Sequence, residues 1–176
     1  ASHAHRPGPG AVSERRQLLQ RGLWFEEFEV DTVYLHRPGR TMTEADNVLF
    51  TTLTMNTQAL HLDAAWAAEQ PGFGGQRLMN SMHTLATLVG LSVAQLTQGT
   101  IVANLGFSEV SFPKPVFHGD TLCAGTVCTA KRESSSRPGE GIVTLEHIGR
   151  NQHGNVVARA VRTTLVRKAP EQGAGQ

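Results

Sequence analysis

From Leu23 to His36 the chain reads LWFEEFEVDTVYLH, rich in aromatic and β-branched residues, which predicts one or two strands around a turn at Asp31. Pro38-Gly39-Arg40 breaks that pattern. Thr43 followed three residues later by Asp46 has the chemistry of a capping box, so DNVLFTTLTM is expected to continue as a helix. A second short helix fits DAAWAAEQ, stopped by Pro71-Gly72. In NSMHTLATLVGLSVAQL, Met82, Leu85, Leu88, Val89, Leu91 and Leu96 leave few solvated positions, which predicts a helix buried on most sides and capped by Asn80 or Ser81. Beyond Thr100 the period changes: IVANLGFSEVSF, DTLCAGTVCTAKRE, GIVTLEHIGRN and NVVARAVRTTLVRK are four strand-like segments, with SSSRPGEG as a loop and NQHGN as a hairpin connection. Strand, short helices, one long buried helix and an antiparallel meander form an α+β plan in which a sheet wraps a single helix.

With 176 residues the chain suffices for one domain with a real core. Residues 1–12 and 169–176 are poor in apolar side chains and are expected to be mobile tails, leaving 13–168 as the domain. A formal net charge of +1, from 16 basic and 15 acidic residues, provides no field that would collect nucleic acid or an anionic membrane. Cys123 and Cys128, five apart in an expected strand, project to opposite faces and fit small core hydrophobes of a reducing compartment better than a disulfide. No apolar run approaches the roughly 20 residues that cross a bilayer, and ASHAHRPGPG lacks the apolar centre of a signal peptide, so a cytoplasmic location is expected.

The candidate chemistry lies in TMNTQALHLD, Thr54 to Asp63, where Asn56 and His61 stand in a mostly apolar run. On the residues alone two readings stay open. Either Asn56 caps a helix end and His61 sits at the surface, or the pair serves a site, with Asp63 beside His61 to orient it. An imidazole titrates near neutrality and suits both proton uptake and delivery.

TMNTQALHLDAAWA resembles the hydratase motif of MaoC-like enzymes, the (R)-specific enoyl-CoA hydratases: aspartate, any residue, asparagine, proline, leucine or isoleucine, histidine. FPKPVFHGDTL, Phe112 to Leu122, resembles a strand-turn-strand segment of the same family, and the likeness runs from about Arg40 to Lys168. GRTMTEADN, TMNTQALH, Asn80-Ser81 and KRESSSRPGEGIVT look closest to the subgroup that hydrates itaconyl-CoA and mesaconyl-CoA. The resemblance implies a hot-dog fold, a curved antiparallel sheet around one central helix. It also implies reversible addition of water to an enoyl thioester, with coenzyme A as the carrier and no metal or redox cofactor.

Position by position, the motif histidine falls on His61, the asparagine on Gln58 and the aspartate on Asn56. That last departure matters, because an amide can orient a water but cannot take its proton. His61 then acts alone or with another carboxylate. The resemblance also assigns the enolate oxygen to a backbone N–H at the start of the central helix, here Ser81 beside Asn80, where free amides and the helix dipole favour negative charge. Arg37 and Arg40, next to His36, and Arg132, with Lys131 and Arg137, are candidate contacts for a substrate carboxylate or a coenzyme A phosphate, the alternative being solvated turns. His118, Gly119 and Asp120 are expected to form a tight turn, and His83 and His147 stand isolated without metal-ligand spacing. Hot-dog proteins pair subunits edge to edge, so at least a homodimer is expected. Two other functions stay open on this fold: an acyl-CoA thioesterase, or an acyl-CoA binder without catalysis.

Overall fold

The computed structural model describes residues 17–170, so tail residues 1–12 and 171–176 lie outside what is described. The first helix and the longest one begin where local chemistry predicts. The Thr43 hydroxyl accepts from Asp46 N–H (3.2 Å) and Asp46 Oδ2 accepts from Thr43 N–H (3.1 Å), a reciprocal cap that starts helix α1, Glu44–Leu53. The Thr43 hydroxyl and then the Arg40 guanidinium hold the Asp46 carboxyl well below the usual carboxylate range. Two short helices follow, α2 (Ala59–Leu62) and α3 (Ala64–Ala68), and then the sixteen-residue α4 (Ser81–Leu96), capped by Asn80 Oδ1 on Met82 N–H (3.0 Å).

Five strands, β1 (Val33–Thr41), β2 (Ile101–Ser111), β3 (Thr121–Glu133), β4 (Glu140–Arg150) and β5 (Val156–Arg167), form one antiparallel sheet in the order β1-β3-β4-β5-β2. Helix α4 lies across it, touching β1, β3, β4 and β5, the sheet-and-helix arrangement expected of the hot-dog fold. Three expectations are corrected. Pro38-Gly39-Arg40 does not end the first strand: β1 continues through it with a register shift between His36 and Arg40, because an edge strand tolerates a proline that donates no ladder bond. The four later strands are not a simple meander, since β2 pairs with β5 on the far edge and only β3, β4 and β5 follow one another. Helix α4 is buried along one stripe, Thr84, Leu88, Ser92 and Leu96, and not on most sides; Met82 is 50% exposed, because a single sheet covers a single helix face.

The core under α4 is two apolar clusters separated by a polar belt. Along β3, Leu122 and Ala124 belong to one cluster, Cys128 to the other, and Thr126 stands between them on the same face. The belt runs from His147 Nδ1 to Thr126 Oγ1 (2.8 Å), from Thr126 to His36 Nε2 (2.8 Å), and from His36 Nδ1 to Gln95 Oε1 on α4 (2.7 Å). His36 is therefore no solvated turn residue, and His147 is not isolated. With His36 neutral one donor direction satisfies all three bonds: His36 Nδ1–H donates to Gln95 Oε1, the Thr126 hydroxyl donates to His36 Nε2, and His147 Nδ1–H donates to Thr126 Oγ1. Burial lowers the pKa of His36, and burial followed by the nearby Arg162 and His36 lowers that of His147 to about 3. Cys123 is half-buried and Cys128 buried, both free.

The belt predicts acid lability. The His147 pKa is depressed on folding, so the unfolded chain binds more protons between pH 3 and the ordinary value near 6.5; stability is complete above that window and falls as pH drops through it. His147 alone should cost about 2 kcal/mol between pH 7 and pH 5. Urea denaturation at the two pH values should show that loss, and His147→Asn, which keeps a donor for Thr126 but does not titrate, should flatten it; an equal slope in both proteins would contradict the assignment.

Candidate active site

After α1 the chain reverses at Met55, which takes a positive φ of 56°, and Asn56 N–H bonds back to Thr51 O (3.0 Å). Asn56 Oδ1 accepts from Gln58 N–H (3.0 Å), an Asx turn that launches the four-residue α2 and with it His61. Asp63 does not orient His61. It caps α3, accepting from Trp66 N–H at 2.9 Å, and the orienting partner is a backbone carbonyl instead. His61 Nδ1 lies 3.0 Å from Leu78 O. A carbonyl only accepts, so Nδ1 carries the proton and the neutral ring keeps a free lone pair on Nε2.

The carbonyl is itself held. Leu78 N–H donates to Leu60 O (3.1 Å), Leu78 forms a bridge with Phe117, and Met79 N–H donates to Val116 O (2.9 Å). This short extended piece leads into α4. Asn80, nearly fully buried, spends both ends of its amide inside the protein, Oδ1 on the Met82 cap and Nδ2 on Thr51 Oγ1 (3.3 Å). Because Asn80 caps Met82 and its carbonyl takes Thr84 N–H, the amides of Ser81 and His83 are the first-turn donors outside the cap.

His61, Ser81 and Thr84 line one cavity of about 350 Å³, walled by Leu60, Leu78, Met79, Phe112, Pro115, Val116 and Val157. Lys114 alone among its lining residues carries a permanent charge; its Nζ donates to Asn155 Oδ1 at 2.6 Å. A ring nitrogen with a free lone pair, a helix-start amide and an apolar wall can together handle a proton, hold a developing oxyanion and exclude water.

The structure thus brings His61 and Ser81 together, with Asn80 beneath the helix start. Asn56 and Gln58 do not line the cavity; Asn56 is half-buried in its turn and Gln58 is exposed at the start of α2. The three arginines lie elsewhere. Arg40 is forked onto Asp46 (2.7 and 2.8 Å) beside a separate recess with His83, Arg37 donates to His36 O (2.8 Å), and Arg132 donates to Glu133 O (3.4 Å). Lys131 is used on the carbonyls of Phe25, Glu26 and Phe28. His118-Gly119-Asp120 does form the expected turn, with Asp120 Oδ2 accepting from Phe117 N–H (2.9 Å) and Gly119 at φ 90°. Lys114 and Asn47, which the sequence did not single out, and His118, expected only as a turn residue, belong to the site or its support. Only Lys114 had a visible signal, a cation between two prolines in FPKPVFHGD. Among the described residues no three His, Cys, Asp or Glu side chains converge as a metal cage. No helix among them is long and apolar enough to cross a membrane.

The chain is similar to known proteins in sequence and fold. The chain is 32% identical over 149 residues to mesaconyl-CoA hydratase of Cereibacter sphaeroides, covering 84% of this chain and 42% of that protein. It is 30% identical over 148 residues to β-methylmalyl-CoA dehydratase of Chloroflexus aurantiacus, covering 84% of this chain and 41% of that one. It therefore spans less than half the length of these curated relatives. A conserved hypothetical protein from Mycobacterium tuberculosis with a double hot-dog fold superposes with a TM-score of 0.77 at 22% identity, over 88% of this chain and 47% of that one, which establishes the fold. With residues 26–151 matching the MaoC like domain, this hot-dog chain belongs to the MaoC-like family.

Proposed function

We propose that this chain is an acyl-CoA hydratase/dehydratase, a hydro-lyase that adds water reversibly to the double bond of a short enoyl-CoA, and that the acyl group is a C5 dicarboxylic one of the itaconyl or mesaconyl type. The observation that carries the reading is the His61 ring, its proton pinned on Nδ1 and its Nε2 free, lining the same apolar-walled cavity as the first turn of α4. Relatives named for mesaconyl-CoA and β-methylmalyl-CoA support the thioester class.

In the proposed step His61 Nε2 takes a proton from water as the water oxygen bonds to the β-carbon of the alkene. The alkene electrons move onto the thioester oxygen, where Ser81 N–H and the positive end of α4 receive the charge. The imidazolium then returns its proton to the α-carbon, so the ring ends as it began and water has been added across the bond. Asn56 serves the step indirectly: its Oδ1 holds the turn that launches α2 and His61, and neither it nor Gln58 lines the cavity. Lys114 supports the dicarboxylic reading, since a substrate bringing a second carboxylate would meet the one permanent cation at the cavity wall.

The pairing partner is a second hot-dog unit. Strand β2 is an edge with exposed Leu105, Phe107 and Val110, and an uncovered apolar edge strand invites another sheet edge. A homodimer formed there is the reading we adopt.

Incubation with mesaconyl-CoA, crotonyl-CoA and a saturated acyl-CoA tests the function: loss of enoyl absorbance is expected, whereas release of free thiol would make it a thioesterase and binding without turnover a carrier. His61→Ala should lower kcat by about 10²- to 10⁴-fold with the circular dichroism unchanged; an unaltered kcat removes His61 from the reaction. Asn56→Asp keeps the turn's acceptor outside the cavity, so kcat should be little changed; a several-fold gain would show that a carboxylate at this position reaches the reaction. Lys114→Met should lower kcat/KM for mesaconyl-CoA by about five- to tenfold and leave crotonyl-CoA within twofold. An equal loss on both substrates would transfer Lys114 to a general role in coenzyme A binding.

A further inference from the structure

Asn47, in the second turn of α1, is 0% exposed and uses both ends of its side-chain amide. Its Oδ1 accepts from Asn80 N–H at 2.8 Å. Its Nδ2 lies 3.0 Å from Leu78 O, 3.3 Å from His61 O and 3.0 Å from His118 Nε2. Three of these four partners are backbone groups of fixed polarity, one donor and two acceptors, so the orientation of the amide is settled by chemistry. The two Nδ2 protons go to the two contacts at 3.0 Å, Leu78 O and His118 Nε2, with His61 O at 3.3 Å sharing one of them; His118 Nε2 therefore accepts, and the proton of that neutral ring sits on Nδ1.

Those partners are not a scattered set. One is the carbonyl that orients His61, another is the carbonyl of His61 itself, and the third is the residue immediately before Ser81. A tie that merely fastened α1 to its neighbours would need one bond; this amide spans the proton-handling ring and the helix start with a single rigid group. We propose that Asn47 is a positioning residue, setting the distance between His61 and the first turn of α4 and keeping Leu78 O in place as the acceptor of the His61 Nδ1 proton. His118 is its buttress. By taking an Nδ2 proton it holds the amide from the β2–β3 connection. Burial and then the nearby Arg77 keep His118 below its ordinary pKa against the pull of Glu44, which favours the neutral, accepting ring.

This inference rests on the catalytic reading of His61, and its test separates the two. The readout is the tautomer of His61, followed by ¹⁵N chemical shifts of the ring in the full chain at pH 8, with kcat and KM on mesaconyl-CoA measured alongside. Wild type should show the Nδ1–H form as the major species; finding chiefly Nε2–H would overturn the proposal before any variant is made. Asn47→Asp has the same shape and still accepts from Asn80 N–H, but it cannot donate to either carbonyl. It should shift His61 to a mixture of tautomers and lower kcat by about 10- to 100-fold, with KM within about threefold. If that variant does not fold, Asn47→Ser, smaller and uncharged, takes its place with the same expectations. A folded variant with the wild-type tautomer and an unchanged kcat sinks the proposal. Thr51→Val, which removes the Asn80 Nδ2 bond from the same buried wall, is the control and should leave the His61 tautomer unmoved even if the melting temperature falls. Should the wild type show no hydratase turnover, the tautomer shift alone still decides whether Asn47 positions the ring.

Discussion

A single backbone carbonyl, Leu78 O, decides what the His61 ring can do. Left to itself an imidazole exchanges its proton between two nitrogens and turns about its side-chain torsions; a fixed acceptor at 3.0 Å from Nδ1 selects one tautomer and one direction for the other nitrogen. The carbonyl can serve only because the piece of chain that carries it is immobilised from both sides, by Leu60 and Asn47 on the α1–α2 side and by Val116 and Phe117 on the other. That same piece runs directly into the Asn80 cap. Ring, carbonyl and helix start are therefore one mechanical unit, and the sheet and α4 serve to hold its two walls apart at the width of the cavity.

The polar belt under α4 follows a related logic at lower functional stakes. Burying His36, Thr126 and His147 costs desolvation, which the ordered run of donors and acceptors offsets, and burial itself disfavours a charge on either ring. The result is a core whose middle layer is specified by hydrogen-bond direction, with apolar packing at either end. Such a layer ties β1, β3 and β4 to one another and, through Gln95, to α4, so sliding of the helix along the sheet would break the Gln95–His36 bond.

Much of this was legible locally. The Thr43–Asp46 box, the Asn80 cap, the strand segments after Thr100 and the His118-Gly119-Asp120 turn are all set by residues within a few positions of one another, and each forms where its residue types direct. What could not be read was non-local. The passage of β1 through Pro38-Gly39 depends on its being an edge strand, the placement of β2 beside β5 depends on the route of the Phe112–Asp120 connection, and Asp63 lost its expected role to a helix cap while a carbonyl 17 residues away took it. Asn47 looks in sequence like an ordinary polar residue of an amphipathic helix; only its four partners, the farthest 71 residues on, make it anything else.

Replacing the motif aspartate by Asn56 changes the electrostatics as well as the proton path. A carboxylate beside the ring would stabilise the imidazolium but would also place a fixed negative charge near an intermediate that is itself negative. With the Leu78 carbonyl as the ring's partner and Asn56 outside the cavity lining, His61 in the proposed step becomes positive only while the enolate is negative, and the two charges compensate each other. A dicarboxylic substrate adds one more negative group, and Lys114 is the one permanent cation at the cavity wall to meet it. On this accounting the site is close to neutral at each stage of the proposed reaction, which matters most in an apolar cavity where an unbalanced charge would be expensive.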